Sequence, residues 1–184
     1  PPATDPHAEP VYLKGEENLQ RFIREGVLLQ DEAEYYYVYR QRMGNMTQTG
    51  LVVCASVDDY QSGVIKKHEL TRADKEEDRV RHIDLLDAND EPVFYTFRNE
   101  QSIGAILAGV AEGEPLYDFT TMDGVSHTLW VIDNRQSIDR LTALFAAIPT
   151  LYVADGHHRS AAASRVRDLR KAARLGNACG AIVV

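Results

Sequence analysis

The stretch from Tyr152 to Ala163, YVADGHHRSAAA, concentrates the residue types that handle anions. Leu151 to Ala154 is a short apolar run suited to a buried strand, and Ala162, Val166, Leu169 and Ala173 recur after it at helical spacing, with Gly176 placed to stop the helix. Between them, Asp155, Gly156, His157, His158 and Arg159 must make a tight turn and the first turn of that helix. The first N–H groups of a helix are unpaired and its dipole places about half a positive charge there, so acids are favoured and bases are not. This sequence supplies three bases, and each cation costs ~0.3–1 kcal/mol at a bare helix start. An arriving anion reverses that sign. Gly156 permits close backbone approach, Asp155 is suited to cap the helix or to hold a metal or a histidine, and Arg159 offers a planar fork for phosphate oxygens. Together these residues describe a phosphate cradle.

A second polar concentration runs from Lys66 to Asp78, KKHELTRADKEED, before Val80, Ile83 and Leu86 appear at helical spacing. Thr71, followed by Asp74, is the expected N-cap of that helix, which leaves Lys66, Lys67, His68 and Glu69 on the loop before it. Other chemistry is less favoured. His157 and His158 are neighbours on a helix and do not share a face, so no metal is expected on the protein's side chains alone. Cys54 and Cys179 lie far apart without metal-binding spacing, so neither zinc nor a disulfide is expected, and both are read as buried and inert. No haem is expected. Arg165, Arg167, Arg170, Lys171 and Arg174 read as a solvated face towards a helix C-terminus, where cations are welcome.

The elements that must position these groups alternate in type. Residues 1–10 read as an extended lead-in; Leu19, Phe22 and Ile23 make a helical stripe that Gly26 ends. Tyr35 to Met43 and Thr47 to Val57 form a hairpin about Gly44-Asn45, with the tyrosines packing on the sheet. Pro92 to Phe97 is a strand, and Ile103, Ile106, Leu107 and Val110 mark a helix capped by Ser102. Leu116 to Thr121 and Val125 to Ile132 flank Asp123-Gly124 as a second hairpin, which carries the only tryptophan, Trp130. Ile138, Leu141, Leu144, Phe145 and Ile148 then give a helix that Pro149 ends. Hairpins mixed with strand–helix units predict an α/β or α+β fold, a mixed sheet with packed helices, in one domain over 11–184. The chain opens without a methionine and stops on the strand-like Ala181 to Val184, so a piece of a longer protein is expected.

With 20 Lys and Arg against 28 Asp and Glu, the net charge of −8 disfavours DNA, RNA and acidic membranes as partners. No apolar run is long enough to span a bilayer and no secretion signal opens the chain, so a cytoplasmic protein with a small-molecule partner is expected. The oligomeric state has no signature in the sequence.

The turn, written as strand-DGHHR-x-x-A, resembles the nucleotide-binding motif of the ParB and sulfiredoxin superfamily, including its free-serine kinases. Those kinases carry a similar aDGHHR stretch and an upstream His-Glu whose glutamate acts on the substrate hydroxyl; His68-Glu69 occupies the comparable place. The segments YRQRMGNMTQTGLVV, GVIKKHELTRADKEEDRVRHI, GEPLYDFTTMDGVSHTLW and LYVADGHHRSAAA, in that order, resemble the bacterial and archaeal DUF1015 proteins, which have no assigned function. The resemblance implies a ParB/sulfiredoxin-like core in which Gly156, His157, His158 and Arg159 hold the phosphates of ATP or ADP. Glu69, with His68, would act on a small hydroxyl metabolite, serine by analogy. Lys66, Lys67 and Arg72 would neutralise charge on the transferred group, and Asp155 would reach Mg²⁺. His127 joins the candidates because its hairpin lies in a shared segment. His157 stands where sulfiredoxins need cysteine, which excludes sulfinic-acid repair, and chromosome partitioning is not expected without a DNA-reading domain. The alternative is a nucleotide-binding switch without catalysis, or a protein-interaction domain.

Overall fold

Two hairpins follow from the turn chemistry of Gly44-Asn45 and Asp123-Gly124. The structure, a computed structural model, describes residues 5–173 and 181–183. In chain order the first half comprises α1 (Glu9–Arg24), β1 (Tyr36–Met43), β2 (Met46–Val52), β3 (Cys54–Ser56), α2 (Val57–Ser62), β4 (Ile65–Lys66) and α3 (Ala73–Leu86). The second half comprises β5 (Phe94–Thr96), α4 (Gln101–Val110), β6 (Tyr117–Thr120), β7 (Val125–Ile132), α5 (Arg135–Ala146), β8 (Leu151–Asp155), α6 (His157–Ala172) and β9 (Ala181–Val183). This is an α+β fold, as expected. The backbone groups into two compact units, where the sequence suggests one domain.

One unit, spanning Asp31–Cys54 and Phe97–Leu151, is built on an antiparallel sheet of order β2-β1-β7-β6. Both expected hairpins form. In the first, Met43 pairs with Met46 across a two-residue turn whose first residue, Gly44, has φ +57°, the conformation that makes glycine the residue of choice there. Val38, Trp130 and Ile132 bury one sheet face against Ile103 and Leu107 of α4 and Ile138 and Leu141 of α5. The Trp130 indole N–H donates to the Gly113 carbonyl at 3.0 Å, so the ring is buried without losing its one polar bond. Helix α4 is capped by Glu100, whose carboxylate accepts from the Ser102 N–H at 3.2 Å; Ser102, the expected cap, lies inside the helix.

The other unit, spanning Pro1–Gln30, Ala55–Thr96 and Tyr152–Val183, carries the polar motifs. Its three-stranded sheet has the order β4-β8-β5, and β3 pairs with β9. Of β8, read from sequence as buried, Val153 is fully covered while Tyr152 stays 45% exposed. Ala161, Ala162 and Ala163 let α6 pack closely, and Val80 of α3 meets Ala162 and Val166 there. The arginines of α6 are not a solvated face. Arg165 binds Glu76 and Glu77 at 3.1 and 2.7 Å, Arg170 binds Asp84 at 2.9 Å and also Asp87, and Arg167 binds Asp58 and Gln61. Their partners on α2, on α3 and just after α3 lie roughly a hundred residues away in sequence, which is why spacing along α6 could not reveal them.

Three further expectations change. Helix α1 begins at Glu9, inside the presumed lead-in, with Pro10 in its first turn; its buried residue is Tyr12, while Phe22 and Ile23 remain exposed. Helix α3 has Arg72 at its N-cap position without a capping side chain, because the Thr71 hydroxyl donates to Glu76 at 2.7 Å instead. Cys54 is exposed. Cys179 and Gly176 lie outside the described residues. Among the described residues, no helix is long and apolar enough to cross a membrane.

Candidate functional site

Strand β8 ends at Asp155 and α6 begins at His157, so a single residue must reverse the backbone between them. Gly156 does so with φ +92°. A Cβ here would lie 2.7 Å from Val93 Cγ1 and 3.2 Å from Arg159 Nε, so both the conformation and the space require glycine. No side chain caps α6; its first internal bond runs from the Ser160 N–H to the Gly156 carbonyl at 2.9 Å. Asp155, expected as a cap, instead takes the Arg159 guanidinium.

The helix start opens on a cleft of about 790 Å³ within this unit. It is lined by Asp155 to Arg159 and by Glu69, Asp74, Lys75, Asp78, Arg79 and His7. Most of these charges are already matched. Asp74 is held by Arg72 at 2.6 Å, and that bond draws its pKa below the ordinary carboxylate value. Burial opposes ionisation of Asp78, but hydrogen bonds from Tyr12 and His7 outweigh it and keep its pKa low. Arg79 pairs with Glu91 at 3.0 Å. Two charges are left without an opposite partner among the described residues: the ammonium of Lys75 and the carboxylate of Glu69.

Glu69 Oε2 stands 3.6 Å from His157 Nδ1. The imidazole is only 5% exposed; burial, with His68 adding to it, pushes its pKa below the ordinary value against the opposing pull of Glu69. The ring is therefore neutral at pH 7. His68 meets it edge-on, 4.4 Å between ring centres, and His157 Nε2 is buried without a hydrogen-bond partner among the described residues. A buried polar atom left unpaired costs about 1–3 kcal/mol, so this nitrogen is a standing demand for a partner.

The argument from three cations at the helix start is thereby corrected. His157 is neutral, His158 Nε2 accepts the Arg72 backbone N–H at 3.1 Å, and Arg159 is held by the Asp155 carboxylate and the Pro92 carbonyl, with Glu91 at 4.0 Å. The turn therefore carries no unmatched cation as it stands.

The fold brings His68 and Glu69 to the DGHHR turn across nearly ninety residues of sequence. It does not bring every candidate there. Lys66 sits in β4 and Lys67 stacks over the Tyr60 ring at 3.7 Å; neither lines the cleft. The Arg72 side chain serves Asp74. His127 belongs to the other unit, where it lies between Tyr39 and Phe119 and its Nδ1 meets the Tyr39 hydroxyl at 2.6 Å. Sequence reading missed Lys75, Arg79 and His7. The four-residue spacing of Lys75 and Arg79 does put them on one face of α3, but the same spacing describes any solvated helix.

Comparison with known proteins gives one result: the model of a family described as protein of unknown function (DUF1015) matches residues 1–181. No curated protein and no solved structure matches the chain.

Proposed function

The chain belongs to DUF1015, a family without an assigned function, and from the chemistry of its own cleft we propose that it binds a nucleotide by its phosphates and transfers a phosphoryl group to a small hydroxyl compound. The observation that carries this reading is the pair left over in the cleft, one unmatched carboxylate and one unmatched ammonium beside an uncapped helix start. Phosphoryl transfer to a hydroxyl needs those three things: a proton acceptor, a cation for the developing charge, and N–H donors for phosphate oxygens. The order strand, DGHHR, helix supports kinship with ParB/sulfiredoxin-like proteins as part of the same proposal, and a cytoplasmic place suits it.

The fit of a polyphosphate rests on the turn itself. Gly156 presents bare backbone, and the N-terminal N–H groups of α6 have no side-chain cap. A bound ATP or ADP, with its Mg²⁺, supplies the transferable group. Arg159 and the α6 N–H groups hold phosphate oxygens, and Lys75, which also lines the cleft, offsets their charge. Glu69 takes the proton of the acceptor hydroxyl, with His157 and His68 fixing its surroundings. A nucleotide-responsive switch without turnover is the second reading, favoured by the hold of Arg159 on the Pro92 carbonyl, which ties the turn to the segment before β5.

The test is incubation with ATP or ADP, Mg²⁺ and a panel of hydroxyl metabolites, read by phosphorus NMR. A new phosphoester resonance is expected with at least one acceptor. Nucleotide binding without any phosphoester would leave the switch, and no stabilisation by millimolar nucleotide would remove both readings.

A further inference from the structure

The residue best suited to grip phosphate is already gripping something else. Arg159 donates through one terminal nitrogen to Asp155 and through the other to the Pro92 carbonyl, while its Nε faces Glu91 at 4.0 Å. Its guanidinium is packed, 25% exposed, whereas the Asp155 carboxylate is 73% exposed. The two acceptors therefore differ in kind: the carbonyl is part of the backbone, and the carboxylate belongs to an exposed side chain lining the cleft.

We propose that Asp155 is a built-in competitor for the anion, occupying the Arg159 fork until a ligand's phosphate displaces it. This rests on the phosphate-binding reading above and adds how the same site is controlled. The exchange is local. The Pro92 carbonyl keeps the guanidinium in place, so Arg159 need not move, and the exposed carboxylate turns into solvent without uncovering any core. Asp155 lies directly before Gly156, in the field of the uncapped α6 N-terminus, and does not cap that helix. Its charge thus takes up both features that favour an anion there, the helix field and the arginine. The device keeps the cradle balanced when empty and lowers the apparent affinity of every ligand that uses the arginine, since each must first displace the carboxylate.

Titration calorimetry with ADP in EDTA, which removes any metal contribution, tests this on four proteins: wild type, Asp155→Asn, Asp74→Asn, and Asp155→Asn combined with Arg159→Gln. Asparagine keeps the shape of the side chain and removes the competing charge. Asp155→Asn is expected to tighten ADP binding by roughly twofold to fivefold, the worth of a largely exposed ion pair. Asp74→Asn removes an equal charge from the same cleft and is expected to change affinity by less than about twofold, because its partner is Arg72. The gain should vanish when Arg159 is replaced. An Asp155→Asn protein that melts like wild type yet binds no tighter overturns the competition, as does an equal gain from Asp74→Asn or a gain that survives without Arg159. If neither wild type nor Asp155→Asn binds ADP or inorganic phosphate at millimolar concentration, the phosphate-binding reading itself fails.

Discussion

Glu69→Gln is expected to bind ADP as wild type does and to turn over about 10²–10⁴-fold more slowly, the usual contribution of a positioned general base. The substitution is nearly isosteric, and Glu69 is 57% exposed, so the fold has little reason to respond. What changes is the one carboxylate of the cleft that no cation neutralises. The partners of Asp74 and Asp78 draw their pKa values down and make them poor bases, and Asp155 is engaged by Arg159, whereas Glu69 has only a neutral imidazole beside it. Initial rates on the acceptor found by phosphorus NMR, set beside ADP titrations, separate the outcomes. Unchanged turnover would take Glu69 out of the chemistry, and parallel loss of binding and rate would make it a ligand contact.

Gly156→Ala is expected to destabilise the protein by about 2–5 kcal/mol. A left-handed backbone costs a residue with a side chain ~1–2 kcal/mol. The new methyl would lie 2.7 Å from Val93 Cγ1, and relieving such overpacking costs ~1–3 kcal/mol. Against a total stability of about 5–15 kcal/mol that is a large fraction, and the melting temperature should fall by about 2–4 °C for each kcal/mol. Adding Val93→Ala removes the Cγ1 contact at 2.7 Å but leaves Val93 Cβ at 3.0 Å and cannot change φ, so it should restore only part of the packing share and none of the backbone cost. A Gly156→Ala protein that melts like wild type would mean that the turn does not have this geometry.

The parts of the fold that were legible in the sequence are those set by short-range chemistry. Gly44-Asn45 and Asp123-Gly124 announce their hairpins, and the apolar spacing of Ile138 to Ile148 announces α5. The strand, Gly156 and helix order of the site is of the same kind. Caps were harder, because a hydroxyl one residue from the helix start has several acceptors within reach: Thr71 finds Glu76, and Ser102 is capped by Glu100 and caps nothing. Charge states were not legible at all. Whether His157 is a cation depends on its burial beside His68, and whether Arg159 is free depends on Asp155 and on Pro92, 67 residues away. That the helix start carries three free cations was a premise that only the folded chain could correct.

Calorimetric titration of ADP and ATP into the wild-type chain and into Arg159→Ala tests the central claim most directly. Losing a charge-assisted phosphate contact costs about 1.5–3 kcal/mol, so binding to the wild type at one site should weaken by roughly tenfold to a hundredfold in the variant. Arg159→Lys, which keeps the charge without the fork, should fall between them. Equal affinity of Arg159→Ala and wild type, or no heat from either nucleotide at millimolar concentration with or without Mg²⁺, would contradict the account.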